Sequence, residues 1–254
     1  MEFKRALLAS SALALFAGAQ EAQAGGLYLS VFGGANFQPD SSTSFFTGKL
    51  SQTFTASSTI FEPDTGFVLG GAVGTSLDKW AKGLRVEAEV SYRRNDVGGA
   101  WGFRSGGEGG EGAGLGIVDS NTSNFAILAN LWYDIDIGNK VRPYVGGGVG
   151  WARARRDGAI QATVDTDLGG EGGTFTTSAL YQQERNGFAW QLGAGFNYEV
   201  SPGVDVGLGY RFFKGPKLPA FLASGGESGG EFGIPTEDNE NHAVQANITI
   251  KIDP

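Results

Sequence analysis

From Leu84 to Arg93 the chain alternates strictly between two kinds of side chain. Leu84, Val86, Ala88, Val90 and Tyr92 hold one parity, and Arg85, Glu87, Glu89, Ser91 and Arg93 hold the other. A period of two is that of a β-strand whose faces meet different environments. The pattern returns at Val244 to Ile252, where Val244, Ala246, Ile248, Ile250 and Ile252 alternate with Gln245, Asn247, Thr249 and Lys251. It returns again at Val204 to Phe213 and at Gly187 to Val200. Weaker alternation over Leu27 to Phe37, Gly66 to Leu77, Asn124 to Asp136 and Arg142 to Arg155 brings the predicted strands to eight. Each is about 10 to 14 residues, longer than the usual strand of a soluble protein and enough to cross a bilayer at a tilt of about 45°.

The connections follow a rhythm of their own. Asp78 to Gly83, Ile137 to Val141 and Ser201-Pro202-Gly203 are short. Gln38 to Thr65, Arg94 to Ser123, Arg156 to Asn186 and Lys214 to Asn241 are each close to 30 residues. A compact soluble domain does not carry four structureless loops of that length. Alternating short turn and long loop instead predicts an all-β chain: an eight-stranded antiparallel up-and-down transmembrane β-barrel with four short periplasmic turns and four long extracellular loops.

Charges as dense as those of the third strand cannot face hydrocarbon, where an Arg at the midplane costs about 2–4 kcal/mol. The charged parity therefore points into the barrel, and Arg85, Glu87, Glu89, Arg93, Glu199, Asp205, Arg211 and Lys251 are expected to form a paired polar network there. Gly146, Gly148, Gly150, Gly193, Gly195, Gly207 and Gly209 share the inward face of strands 5 to 7. They leave space either for a narrow water-filled path or for bulky Arg and aromatic neighbours. Two interfacial aromatic girdles are expected, with Tyr92, Trp151, Trp190, Tyr210 and Phe212 toward the loops and Trp80, Tyr144 and Tyr198 toward the turns.

Composition narrows the picture. Lys4 and Arg5, an apolar run from Ala6 to Ala19 and Ala22-Gln23-Ala24 form a signal-peptide pattern, which divides the chain into a signal peptide at 1–24 and a barrel domain at 25–254. Its apolar run is shorter than the roughly 20 residues of a membrane-spanning helix. Removing that segment takes away two basic and two acidic residues and leaves the net charge at −8. Such acidity argues against nucleic acid as a partner. Cysteine is absent, so burial and hydrogen-bond closure must hold the fold.

The segments Asn130-Leu131-Trp132-Tyr133-Asp134 and Val141-Arg142-Pro143-Tyr144-Val145-Gly146-Gly147-Gly148-Val149-Gly150, with the alternating last strand, carry a family resemblance. Over residues 25 to 252 the chain resembles the small outer-membrane β-barrels of the OmpA-like and OmpX-like kind, often grouped as a porin family. The resemblance implies residence in the outer membrane of a Gram-negative bacterium after export to the periplasm, contact with outer-membrane lipid and lipopolysaccharide, and insertion by the barrel assembly machinery. It is nearly silent on activity, since such barrels serve as anchors, adhesins, immune-evasion factors and small channels. One departure stands out: members commonly end on an aromatic residue, whereas this chain ends Ile252-Asp253-Pro254.

Candidate chemistry is sparse. With no Cys and one His, a His/Cys metal site is excluded. His242 would be the base of a lipid-modifying hydrolase only if a Ser and an acid joined it, and no spacing suggests them. No catalytic residue, cofactor or metal ligand is assigned. Three long loops carry related tracts: Gly106-Gly107-Glu108-Gly109-Gly110-Glu111-Gly112, Gly169-Gly170-Glu171-Gly172-Gly173 and Gly225-Gly226-Glu227-Ser228-Gly229-Gly230-Glu231. They read as solvated surface loops that could meet an extracellular ligand. Arg94, Arg104, Arg155, Arg156, Arg185 and Lys214 near the rim could hold lipid phosphates. The expected function is a non-enzymatic surface or structural barrel, with a small-solute channel as the alternative and a lipid-modifying enzyme behind both.

Overall fold

The computed structural model describes residues 26–39, 41–44, 58–61, 64–97, 100–104, 112–166, 173–219, 221–225, 230–234 and 238–252. The expected signal peptide and most of the glycine–glutamate tracts lie outside these residues.

Eight long strands form the wall: β1 Leu27–Phe37, β2 Gly66–Ser76, β3 Leu84–Val97, β4 Gly112–Asp134, β5 Val141–Thr166, β6 Gly173–Ser201, β7 Val204–Lys214 and β8 Glu240–Lys251. Each pairs antiparallel with the next in sequence. β1 then pairs with β8, from Tyr28 opposite Lys251 to Phe37 opposite His242, and closes the sheet on itself. Closure leaves no free edge in the barrel wall, which satisfies the backbone without water.

Two expectations need correction. Eight sequential strands have seven connections, so there are three short turns rather than four. The fourth place at that end is taken by the closure itself, where the Ile252 N–H donates to the Leu27 carbonyl at 2.7 Å. The three turns are built on Gly83, Gly138 and Gly203, with φ of 84°, 75° and 80°, a region that admits glycine at little cost.

Nor are the second and third long loops structureless. β4, β5 and β6 run for 23, 26 and 29 residues, and the β5–β6 ladder continues to Thr166 opposite Gly173. Ala100–Arg104 adds a further short strand beside β4. Thr recurs in these segments, as Thr122, Thr163, Thr166, Thr174, Thr176 and Thr177, and its β-branched side chain suits an extended sheet. About 10 residues suffice to cross the hydrocarbon at a steep tilt, so the far halves of β4 to β6 stand beyond it. Two small hairpins, Ser41–Ser44 with Ser58–Phe61 and Phe221–Gly225 with Gly230–Ile234, occupy the first and fourth loops.

Burial is inverted relative to a soluble protein. Leu29, Val31, Leu69, Leu131, Val149, Leu192, Ile248 and Ile250 lie exposed on the outer face, while Glu89, Arg93, Asn130, Gln191 and Gln245 are buried inside. Tyr92, Tyr198 and Tyr210 are exposed on the outside, and Trp80 stands clear on the first turn. Trp151 packs edge-on against Phe125, and Trp190 tilts against Phe212, ring centres 6.5 Å and 5.2 Å apart. Tyr144 departs from the expected girdle. It is 5% exposed and points into the lumen, edge-on to Trp132. It shares the parity of Gly146, Gly148 and Gly150, and period two sends all four to the same face.

Candidate functional site: the polar lumen

The inward side chains stack in three tiers. At the turn end, Arg85 reaches along β3 and across to β4. Its guanidinium grips Asp134 through two hydrogen bonds, Nε to Oδ2 at 2.6 Å and Nη2 to Oδ1 at 2.9 Å, a bidentate pair. Nη1 also donates to Glu87 Oε1 at 3.0 Å and to Tyr28 Oη at 2.9 Å. Glu87 is further satisfied by Tyr28 Oη at 2.8 Å and by Trp132 Nε1 at 2.8 Å. On the opposite wall Arg142 Nη2 donates to Asp205 Oδ2 at 2.6 Å and lies 3.8 Å from Glu199, while Lys251 Nζ is 3.4 Å from Asp205.

The middle tier centres on Glu89. Its Oε2 accepts from Asn130 Nδ2 and Gln191 Nε2, both at 2.8 Å, and from Arg211 Nη1 at 3.4 Å. Arg93 approaches Oε1 at 4.0 Å and donates to Ser91 Oγ at 2.9 Å. Both guanidiniums stack on rings, Arg93 over Phe213 at 4.1 Å and Arg211 over Trp132 at 4.0 Å. The apolar residues Ala126, Leu128, Ala152 and Ala189 pack around Phe213, and Phe32, Val68 and Ala243 form a second apolar cluster.

The third tier, at the loop end, is a run of five asparagines. Asn36 donates to Asn95 and to Asn241, the latter at 2.8 Å. Asn241 donates to Asn239 Oδ1 at 3.0 Å, and Asn239 and Asn124 bond reciprocally at 2.5 Å and 3.1 Å. Asn95 also ties down the first loop through the Asp64 carbonyl at 3.1 Å. Above it the fourth loop folds inward: Leu218 is buried, and Gln183 Nε2 donates to the Pro219 carbonyl at 2.5 Å.

The eight network residues expected from sequence thus fall into separate groups. Arg85 meets Glu87; Glu89, Arg93 and Arg211 meet at the centre; Glu199, Asp205 and Lys251 gather at the turn end around Arg142. Sequence reasoning missed Tyr28, Asp134 and Arg142, which complete the pairing, together with Trp132, Asn130, Gln191 and the asparagine tier. Parity would have found most of them, since Asn124, Asn130, Trp132 and Asp134 share one face of β4. Between the turn mouth and the asparagines, the described lumen holds the cations Arg85, Arg93, Arg142, Arg211 and Lys251 and the carboxylates Glu87, Glu89, Asp134, Glu199 and Asp205. The two sets are equal in number, five cationic and five carboxylate side chains.

The inward glycines receive their neighbours' side chains. A Cβ on Gly146 would stand 2.6 Å from the Trp132 ring, one on Gly193 2.6 Å from Arg211 Cδ, and one on Gly195 2.7 Å from Tyr144 Oη. Of the two readings left open by the sequence, the geometry shows room for bulky neighbours. A cavity of about 20 Å³ remains between the first and second tiers, lined by Arg85, Glu87, Trp132, Tyr144, Arg211 and Gln245 among others.

His242 faces outward between the rings of Tyr210 and Phe212, and its Nδ1 lies 2.5 Å from Tyr210 Oη. No group of three or more His, Cys, Asp or Glu side chains able to hold a metal occurs among the described residues. At the rim, Arg94 pairs with Asp96, Arg155 with Asp157 and Lys214 with Glu240. Arg156, expected there, instead turns inward and donates to Thr122 Oγ1 at 3.3 Å. Between the first and second turns Lys82 donates to Asp136 at 2.8 Å. That bond, helped by the Gly138 N–H, holds the Asp136 carboxyl below its ordinary range.

Among solved structures, similarity extends to Neisserial surface protein A (17% identity, 89% of this chain and 97% of that one, TM-score 0.42). It also extends to the outer membrane protein OprG of Pseudomonas aeruginosa (12%, 89% and 97%, 0.47) and to Ail, the attachment invasion locus protein of Yersinia pestis (13%, 89% and 99%, 0.33). No curated protein matches the sequence. The family model of the outer membrane protein beta-barrel domain matches residues 6–249. A closed β-barrel is the architecture that this family description names. The chain belongs to the outer membrane protein beta-barrel domain family, and its place is the outer membrane of a Gram-negative bacterium.

Proposed function

We propose that this protein is a non-conducting, non-enzymatic barrel of the OmpA-like and OmpX-like kind, with a structural or surface-interaction role. In this reading residues 1–24 are a signal peptide, the turns face the periplasm, and the outward aromatics sit at the two membrane interfaces among lipid and lipopolysaccharide. The projecting halves of β4 to β6 and the long loops would meet any extracellular partner. The observation that supports the reading is the filled lumen, with paired charges in two tiers and five buried asparagines above them. A small-solute channel needs a continuous polar path, and the middle tier stands across it.

Purified, refolded protein in planar lipid bilayers tests this. The expected result is a current indistinguishable from the protein-free membrane. Discrete conductance steps that scale with the amount of protein would replace the reading with the channel.

A further inference from the structure

We infer that the lumen is a half-channel: hydrated from the turn end as far as Arg211 and Trp132, blind above them, with its innermost water held between Arg211 Nε and Gln245 Oε1. The inference rests on the non-conducting reading above and adds which end is open and what the closed end binds.

Three observations carry it. Exposure falls steeply along the axis. The side chains at the turn mouth, Arg142, Lys251 and Asp134, are 30%, 27% and 20% exposed, whereas Glu89 and Arg93 of the middle tier are each 1% exposed. All five asparagines of the loop-end tier are buried as well. Among the described residues, exposure to solvent therefore enters from the turn side. Second, the cavity lies below the Glu89 tier, and its volume of about 20 Å³ suits a single water. Third, two of the residues lining it present polar atoms with no protein partner. Arg211 Nε is a donor and Gln245 Oε1 an acceptor, on side chains more than nine-tenths buried. Buried polar groups in native proteins are almost always satisfied by protein or by ordered water. A water in the cavity accepts from the first and donates to the second. Glu89 Oε1 and Arg93 Nε are also unpartnered, but neither residue lines the cavity.

The chain has no cysteine, so single thiols report on access directly. Ala72 and Thr249 line the cavity, and Ala243 lies in the apolar packing above it. Ala72→Cys, Thr249→Cys and Ala243→Cys would be folded, checked by the gel shift between boiled and unboiled samples, and treated with Ag⁺, an ion of about water's size. The thiol left free is counted with a maleimide after denaturation. In nanodiscs, where both faces meet the reagent, Ag⁺ should abolish maleimide labelling of Ala72→Cys and Thr249→Cys and spare Ala243→Cys. In sealed vesicles with the loops outward, Ag⁺ added outside should spare all three. If both cavity thiols stay free in nanodiscs, the hydrated half-channel is wrong and the closed barrel stands. If Ala243→Cys is blocked in nanodiscs, hydration passes the inferred blind end and the half-channel is overturned. Blocking of any thiol from the loop side would show a path through the upper tiers and would overturn the non-conducting reading too.

Discussion

Replacing Glu89 by Gln removes one charge from the centre of the lumen while keeping the shape of the side chain. Glu89 lies 3.4 Å from Arg211 and 4.0 Å from Arg93. A unit-charge pair at 4 Å attracts by about 4 kcal/mol at an effective dielectric constant of about 20. Both attractions vanish in Glu89→Gln, and the two guanidiniums keep their mutual repulsion. Their stacking on Phe213 and Trp132 and the Arg93 bond to Ser91 persist. The amide can still accept from Asn130 or Gln191, though not from both through one charged oxygen. Part of the lost attraction had offset the cost of burying Glu89 itself, so the net destabilisation should be about 3–5 kcal/mol, the range for breaking a buried pair. Urea unfolding in lipid vesicles, followed by tryptophan fluorescence, measures it. Burial sets the magnitude: Glu89 and Arg93 are 1% exposed, so little solvent screening reduces it. A loss below about 1 kcal/mol, the size found for exposed pairs, would refute the claim that this carboxylate holds the plug together. Glu89→Leu/Arg93→Met/Arg211→Met removes all three charges and should recover most of the stability, since apolar replacements of whole buried ion clusters are often tolerated.

Two further outcomes follow from the geometry. Gly209→Ala would press its Cβ against the hydroxyl of Tyr144; it should cost about 1–3 kcal/mol by overpacking, and Tyr144→Phe in the same chain should relieve part of that cost. A strictly additive double-mutant cycle would show that the contact is not formed. Lys82→Ala should raise the titration midpoint of the Asp136 carboxyl, followed by carboxyl carbon NMR, and an unmoved midpoint would sink the pairing. The sign is that of a depressed carboxylate: Asp136 contributes its stabilisation above the ordinary carboxylate range and loses it as pH falls through its lowered folded value.

Alternation made the wall legible because a barrel strand meets two solvents, and residue parity records which one each side chain faces. The same rule assigns Tyr144 and Trp132 inward; an aromatic near a strand end suggests a girdle only while its parity is set aside. The asparagines were illegible for a different reason. Asn36, Asn95, Asn124 and Asn241 sit next to the long loops, where Asn ordinarily marks a turn. Their meeting depends on contacts between strands distant in sequence: Asn36 and Asn241 are 205 residues apart and touch only because β1 closes on β8. The extended halves of β4 to β6 were hidden by the glycine–glutamate tracts beside them, whose composition reads as loop although the residues between are extended. Pairings inside the lumen are likewise beyond sequence parity, because Arg211 of β7 reaches Glu89 of β3 across the barrel while Arg85 stays on its own wall.

Filling a narrow barrel with paired charges is less economical in free energy than filling it with apolar side chains, since each ion gives up hydration to be there. The reason for accepting that cost lies in the chain before it folds. With apolar residues on both parities, each strand would become an unbroken apolar segment, and joined strands such as β6 and β7, separated only by Pro202-Gly203, would approach the length at which a segment enters a membrane as a helix. Alternation instead keeps the mean hydropathy at −0.13, so the unfolded chain can stay in water and become membrane-compatible only when closure sorts the two parities to opposite sides. The equal numbers of inward cations and carboxylates then follow from the same constraint. Polar residues that had to be present for solubility become tolerable in a low-dielectric lumen only if they neutralise one another, and a single unmatched charge there is far more costly than one at the rim.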